Sequence, residues 1–150
     1  MIKLLDGNAT SYIWVKYPGL MVDKIKDFIP AKLITAVKRF TLNDGFYNAV
    51  DNYVPEGVQI EIFSQCLAIA MIASVDLPET ETREFAWDIV FDSPIHLEDE
   101  FYIEIEIKSW RRGLAKALCR GYVNGRVVCH GTMDLVVLAL FNQYRLPRKQ

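Results

Sequence analysis

The segment from Val58 to Val75 constrains the fold more than any other. Ile60, Ile62, Phe63, Leu67, Ala68, Ile69, Ala70, Met71 and Ile72 leave it apolar nearly all round. A helix that is apolar on every side must be buried on every side. At about 1.5 Å per residue it spans about 27 Å, roughly a domain diameter. Glu61, Ser64 and Gln65 interrupt its apolar run before the roughly 18 uncharged residues that cross a bilayer. The segment is therefore predicted to be a core helix, and no membrane partner is expected.

The rest of the chain reads as strands that would wrap such a helix. Leu20 to Phe28 is a first candidate, and Leu33 to Leu42 a second, with Ile34, Ala36 and Val37 as its inward set. Asp27 to Lys32, containing Pro30, is the turn between them. Asn43 to Gly57 shows no clean period and is rich in Asn, Asp and Gly, so it reads as a loop leading into the helix. Loops of that length inside a compact domain are often functional. Asp76 to Thr82, with Pro78, ends the helix. Glu84 to Phe91 is the next strand candidate. In Phe101 to Trp110, the residues Phe101, Ile103, Ile105 and Ile107 alternate with Tyr102, Glu104, Glu106 and Lys108, the pattern of a half-exposed antiparallel strand. Leu114 to Val123 and Arg126 to Leu140 flank Asn124-Gly125, a strong two-residue hairpin signal. The order predicts an α+β domain spanning 1–150: two strands, a loop, one buried helix, then four strands in meander order. A flexible tail is expected over 141–150.

Composition narrows the function. The chain has 150 residues, is 51% hydrophobic and 24% charged, and carries a net charge of −2, so no basic footprint for nucleic acid is expected. Met1 to Thr10 lacks the apolar core of a secretory signal. Cys66, Cys119 and Cys129 are odd in number, lie in apolar segments and lack C-x-x-C spacing. They read as reduced core residues of a cytoplasmic protein. His96 and His130 are the only histidines. Two lone histidines without clustered carboxylates give no metal site, and no cofactor motif occurs.

Several stretches, in order, resemble the β-hydroxyacyl-acyl carrier protein dehydratases. Tyr17 to Lys24 (YPGLMVDK) is similar to that family's Y-P-F-L-L-V-D-R opening. VKRFTLNDGF, residues 37–46, is similar to K-N-V-T-I-N-E-P-F. Pro55 to Gln65 (PEGVQIEIFSQ) is similar to P-G-V-L-I-L-E-A-L-A-Q, with Pro55, Glu61 and Gln65 in register. Asp92-Ser93-Pro94 with Asp99 resembles the R-R-P-V-x-P-G-D turn, and GYVNGRVV, residues 121–128, the A-Y-V-D-G-K-L-V hairpin. The resemblance implies a hot-dog fold, a curved antiparallel sheet of about six strands around one long buried helix. It also implies a dimer acting on (3R)-hydroxyacyl thioesters of acyl carrier protein. In the family a helix carboxylate works with a loop histidine from the other subunit. The carboxylic acid assists departure of the β-hydroxyl, and the histidine removes the α-proton.

Only half of that pair carries over. Glu61 matches the carboxylate, but the G-H-F-P-G-x-P stretch is replaced by residues 47–55, about three residues shorter and without histidine, and Glu56 stands where the family has glycine. Tyr47 and Asp51 are the substitutes that can be entertained. Glu61 has two readings: a structural carboxylate satisfied by loop amides, or an acid whose pKa burial would raise. Gln65, four residues on, shares its helix face and would hold the Glu61 carboxyl, a water or a dimer contact. Tyr47, Tyr53, Val54, Pro55, Gly57 and Phe63 are the candidate acyl-binding residues, although core packing accounts for aromatics such as Phe46 and Phe63 equally well. Lys108, Arg111 and Arg112, with Arg145, Arg148 and Lys149, form either a solvated basic turn and tail or a docking surface for the acidic carrier protein. His96 and His130 match no catalytic position.

Three functions follow as expectations. The chain is a dehydratase with a substitute base, or the acyl-binding subunit of a heterodimer with a second hot-dog protein that supplies the histidine, or a thioesterase using Glu61 alone. A homodimer or heterodimer is expected, paired through Phe101 to Trp110 or through the first long strand after the helix.

Overall fold

The computed structural model describes residues 19–45, 52–75 and 80–144. Its elements run β1 (Lys24–Ile29), β2 (Leu33–Arg39), α1 (Glu56–Val75), β3 (Thr82–Phe91), β4 (Glu100–Arg111), β5 (Leu114–Val123), β6 (Arg126–Val137) and α2 (Leu138–Gln143). The six strands form one antiparallel sheet in the order β1-β2-β4-β5-β6-β3. The sheet curves around α1, in which every residue from Ile62 to Ala73 is buried. This is the hot-dog architecture, in the α+β class.

The alternation along β4 turns out as expected. Phe101, Ile103 and Ile105 are fully buried on the helix side, and Tyr102, Glu104 and Glu106 face outward. Ile34 and Ala36 of β2 are likewise fully buried. The helix begins two residues earlier than expected, because the Pro55 carbonyl accepts from Val58 and Gln59 and starts the helical ladder there.

Four expectations are corrected. The strands after the helix are not a simple meander: β4, β5 and β6 follow one another, but β3 crosses to the far edge and pairs only with β6. Phe101 to Trp110 is consequently an interior strand with both backbone edges already occupied by β2 and β5, so it cannot pair with another chain. The sheet edges belong to β1 and β3, and β3 is the first strand after the helix, the other strand expected to pair. β2 stops at Arg39, since the Phe40 amide donates to Asp99 and the Asp44 carboxylate draws the Thr41 amide into a short 3-10 turn over Leu42–Asp44. Finally, β6 ends at Val137 because its partner β5 begins at Leu114. Leu138 then donates to Glu81 and the chain closes into α2, so the expected tail starts inside a helix.

Candidate functional site

The polar residues of α1 are few, and Gln65 is the most heavily bonded of them among the described residues. Gln65 is 4% exposed. Its Nε2 donates to the Gly19 carbonyl at 2.9 Å and to Glu61 Oε1 at 3.1 Å, while its Oε1 accepts from the Met21 amide at 2.8 Å. Both amide protons and the carbonyl are thus committed, which fixes the orientation of the side chain. Gln65 staples the segment before β1 to the helix and holds one oxygen of Glu61. Glu61 itself is only partly buried in the single chain.

Ser64, one helical turn beyond Glu61, donates through Oγ to Glu84 Oε2 at 2.8 Å. Glu84 lies opposite Leu135 in the β3–β6 register, and Leu135 is fully buried. Cross-strand partners share a face, so Glu84 points toward the helix. Glu84 does not stand out in the sequence, because an isolated Glu near a strand start reads as solvent-facing until its partner strand is known.

The segment ahead of the helix is held by the turn after β3. Val54, 1% exposed, donates to the Ile95 carbonyl at 2.7 Å, and Tyr53 bridges to His96. The His96 ring places Nδ1 3.2 Å from the Asn52 carbonyl. Between these segments lies a cleft of about 300 Å³ lined by Tyr53, Val54, Glu56, Gln59, Phe91 and Pro94, among others. Gln59 is 2% exposed, donates to the Val54 carbonyl, and leaves Oε1 without a partner among the described residues. Of the predicted acyl-binding set, Tyr53 and Val54 line this cleft, with Pro55 between Val54 and Glu56. Gly57 is exposed with open space around it, and Phe63 is fully buried against Phe101 at 5.9 Å between ring centroids. Tyr47, Asp51 and Phe46 lie outside the described residues, as do Arg145, Arg148 and Lys149.

The basic turn is not part of this site. Lys108, Arg111 and Arg112 are exposed, and Lys108 pairs with Glu106 at 2.6 Å. Ser74 at the end of α1 accepts from Ala31, and Ile107 donates to the neighbouring Lys32, so the turn sits at the C-terminal end of the helix. Tyr53 to Gly57 sit at the other end, about 30 Å away along a 20-residue helix. His130 pairs with Asp92 at 3.0 Å on the outer face, away from Glu61. Cys66, Cys119 and Cys129 are fully buried, and burial pushes all three thiols up, Cys119 and Cys129 to about 12. Such thiols are inert as nucleophiles.

No family model matches the chain. Among curated proteins, it is 32% identical over 124 residues to a 3-hydroxyacyl-acyl-carrier-protein dehydratase FabZ of Escherichia coli O9:H4 (strain HS), covering 79% of this chain and 82% of the relative. It is 26% identical over 125 residues to the FabZ of Variovorax paradoxus (strain S110), covering 79% and 83%. Among solved structures, the Dehydratase Heterocomplex ApeI:P from Xenorhabdus doucetiae superposes with a TM-score of 0.78 at 10% identity, over 90% of this chain and 95% of that one. A hypothetical thioesterase with coenzyme A from Streptococcus pneumoniae TIGR4 gives 0.64 at 15% identity, over 76% and 84%. These structures share the fold. The identity and coverage among the curated relatives place this chain in the 3-hydroxyacyl-acyl-carrier-protein dehydratase FabZ family.

Proposed function

We propose that this chain acts on (3R)-hydroxyacyl thioesters of acyl carrier protein and takes part in their dehydration, in biosynthesis of the fatty acid or polyketide type. The observation that carries this reading is Glu61, held through Oε1 by an orientation-locked Gln65. These two residues stand at the family's helix carboxylate and glutamine positions. A carboxyl group presented in this way can protonate a departing β-hydroxyl. Tyr53, Val54 and Pro55 are proposed to contact the acyl chain where the cleft opens. Three thiols kept buried and unpaired fit a cytoplasmic location.

A second reading makes the chain one half of a heterodimer whose other hot-dog subunit supplies the histidine. The observation favouring it is the bare β3 edge, where Phe85 is 55% and Trp87 53% exposed. The relation to a dehydratase heterocomplex points the same way.

The test is intact-protein mass spectrometry of a (3R)-hydroxyacyl-acyl carrier protein incubated with this chain or with its Glu61→Gln variant. Loss of one water, abolished by Glu61→Gln, is the expected result. Loss of the whole acyl group would replace dehydration with thioester hydrolysis. An unchanged mass, both alone and after mixing with histidine-bearing hot-dog proteins, would sink the reading.

A further inference from the structure

The family's base is missing from this chain, yet its helix face holds a second carboxylate. The geometry points to Glu84 as the base that removes the α-proton, working opposite Glu61. This inference rests on the dehydration reading above and names the group that completes it.

Two observations carry it. First, Glu84 lies half-buried on the helix side of β3, opposite the fully buried Leu135. Second, its partner is Ser64, itself 6% exposed, on the same stretch of α1 as Glu61 and Gln65. Glu61, Ser64 and Gln65 are the polar residues of an otherwise apolar buried run, and they converge on one side of the helix. Residues three apart on a helix have Cβ atoms about 5–6 Å apart. With the 2.8 Å Ser64–Glu84 hydrogen bond, this places the Glu84 carboxylate beside the helical turn that carries Glu61.

The chemistry closes without a cofactor. Glu84 takes the α-proton, and the C–H electron pair becomes the second bond between Cα and Cβ. The Cβ–O bond breaks as protonated Glu61 delivers its proton to the hydroxyl, which leaves as water. The products are the enoyl thioester, protonated Glu84 and ionised Glu61, and proton exchange with solvent restores both. Gln65 and Ser64 are positioning residues in this scheme.

The experiment measures dehydration of a (3R)-hydroxyacyl-acyl carrier protein by the full chain alone, comparing wild type with Glu84→Gln and Ser64→Ala, with thermal melting of each. The amide of Glu84→Gln can still accept from Ser64, so the fold is expected to hold. The expected result is a loss of kcat of at least about 100-fold in Glu84→Gln. In Ser64→Ala, kcat should fall about 10-fold with KM nearly unchanged, since the hydrogen bond that orients the Glu84 carboxylate is gone. A purely structural Ser64–Glu84 tie would lower melting temperature and leave kcat in place, which would overturn the assignment. A folded Glu84→Gln with wild-type kcat overturns the assignment and leaves the dehydration reading standing. A wild-type chain inactive alone also overturns it; mixing with a histidine-bearing hot-dog protein then shows whether the dehydration reading falls too.

Discussion

Replacing Gln65 by leucine tests the staple between α1 and the segment before β1. The substitution keeps side-chain volume and removes three hydrogen bonds at once: to Gly19 O at 2.9 Å, from Met21 N at 2.8 Å and to Glu61 Oε1 at 3.1 Å. The Glu61 oxygen can turn to water, so its loss is minor. The Gly19 carbonyl and Met21 amide lose a partner in a part-buried setting. Stranding a buried polar group costs about 1–3 kcal/mol. Taking the lower half of that range for each, because solvent is near, gives a total of about 2–4 kcal/mol. For a chain of this size, 1 kcal/mol moves Tm by about 2–4 °C, so the expected drop is about 4–16 °C. The assay is far-UV circular dichroism melting at pH 7, with urea unfolding as a second measure. Gln65→Glu sharpens it. A carboxylate still accepts from Met21 but cannot donate, and it faces both the Gly19 carbonyl and Glu61. That variant should melt lower at pH 7 than at pH 4.5, after subtraction of the wild-type change. A Gln65→Leu protein melting within 1 °C of wild type would refute the staple.

Other expectations follow from the same packing. The buried thiols should make the protein sensitive to alkali. Cys119 and Cys129 are raised from 9.0 to about 12, and Cys66 is raised as well, so the unfolded chain releases these protons first. Their contribution is complete below pH 9 and declines as pH rises toward 12. Each group costs about 1.4 kcal/mol per pH unit in that window. Replacing all three by alanine should flatten the fall of Tm between pH 9 and 10.5, and an unchanged slope would count against the thiols as its cause. Gly131 lies where a Cβ would overlap the Asp88 carbonyl and press on Ile89 of β3. Gly131→Ala should therefore loosen β3 and deprotect its amides in hydrogen exchange; unchanged protection would contradict that close approach. Trp87→Lys on the open edge should abolish association through β3, seen as a monomer in analytical ultracentrifugation at concentrations where wild type assembles. An assembly that survives Trp87→Lys would place the contact elsewhere.

Much of the architecture was legible in the residue pattern because it depends on local periodicity. An apolar helix long enough to cross a domain has to be enclosed, and the two-residue alternation of Phe101 to Ile107 assigns its faces unaided. Glu61 and Gln65 could be singled out for the same reason, being polar residues four apart on an otherwise apolar helix.

What the sequence could not decide was which strands become neighbours. The crossing of β3 to the far side of β6 is a long-range pairing, set by how the sheet closes around α1. That crossing turns Glu84 from an ordinary strand residue into a carboxylate facing Ser64, and it leaves β3 rather than β4 at a sheet edge. The Gln65 bonds to Gly19 and Met21 span more than forty residues of chain, and no periodicity carries such information. By itself the sequence determined the elements, the buried face and the carboxylate on the helix. Only the tertiary structure decided that carboxylate's companions, because side chains distant in sequence meet only when burial of apolar surface has brought their backbones together.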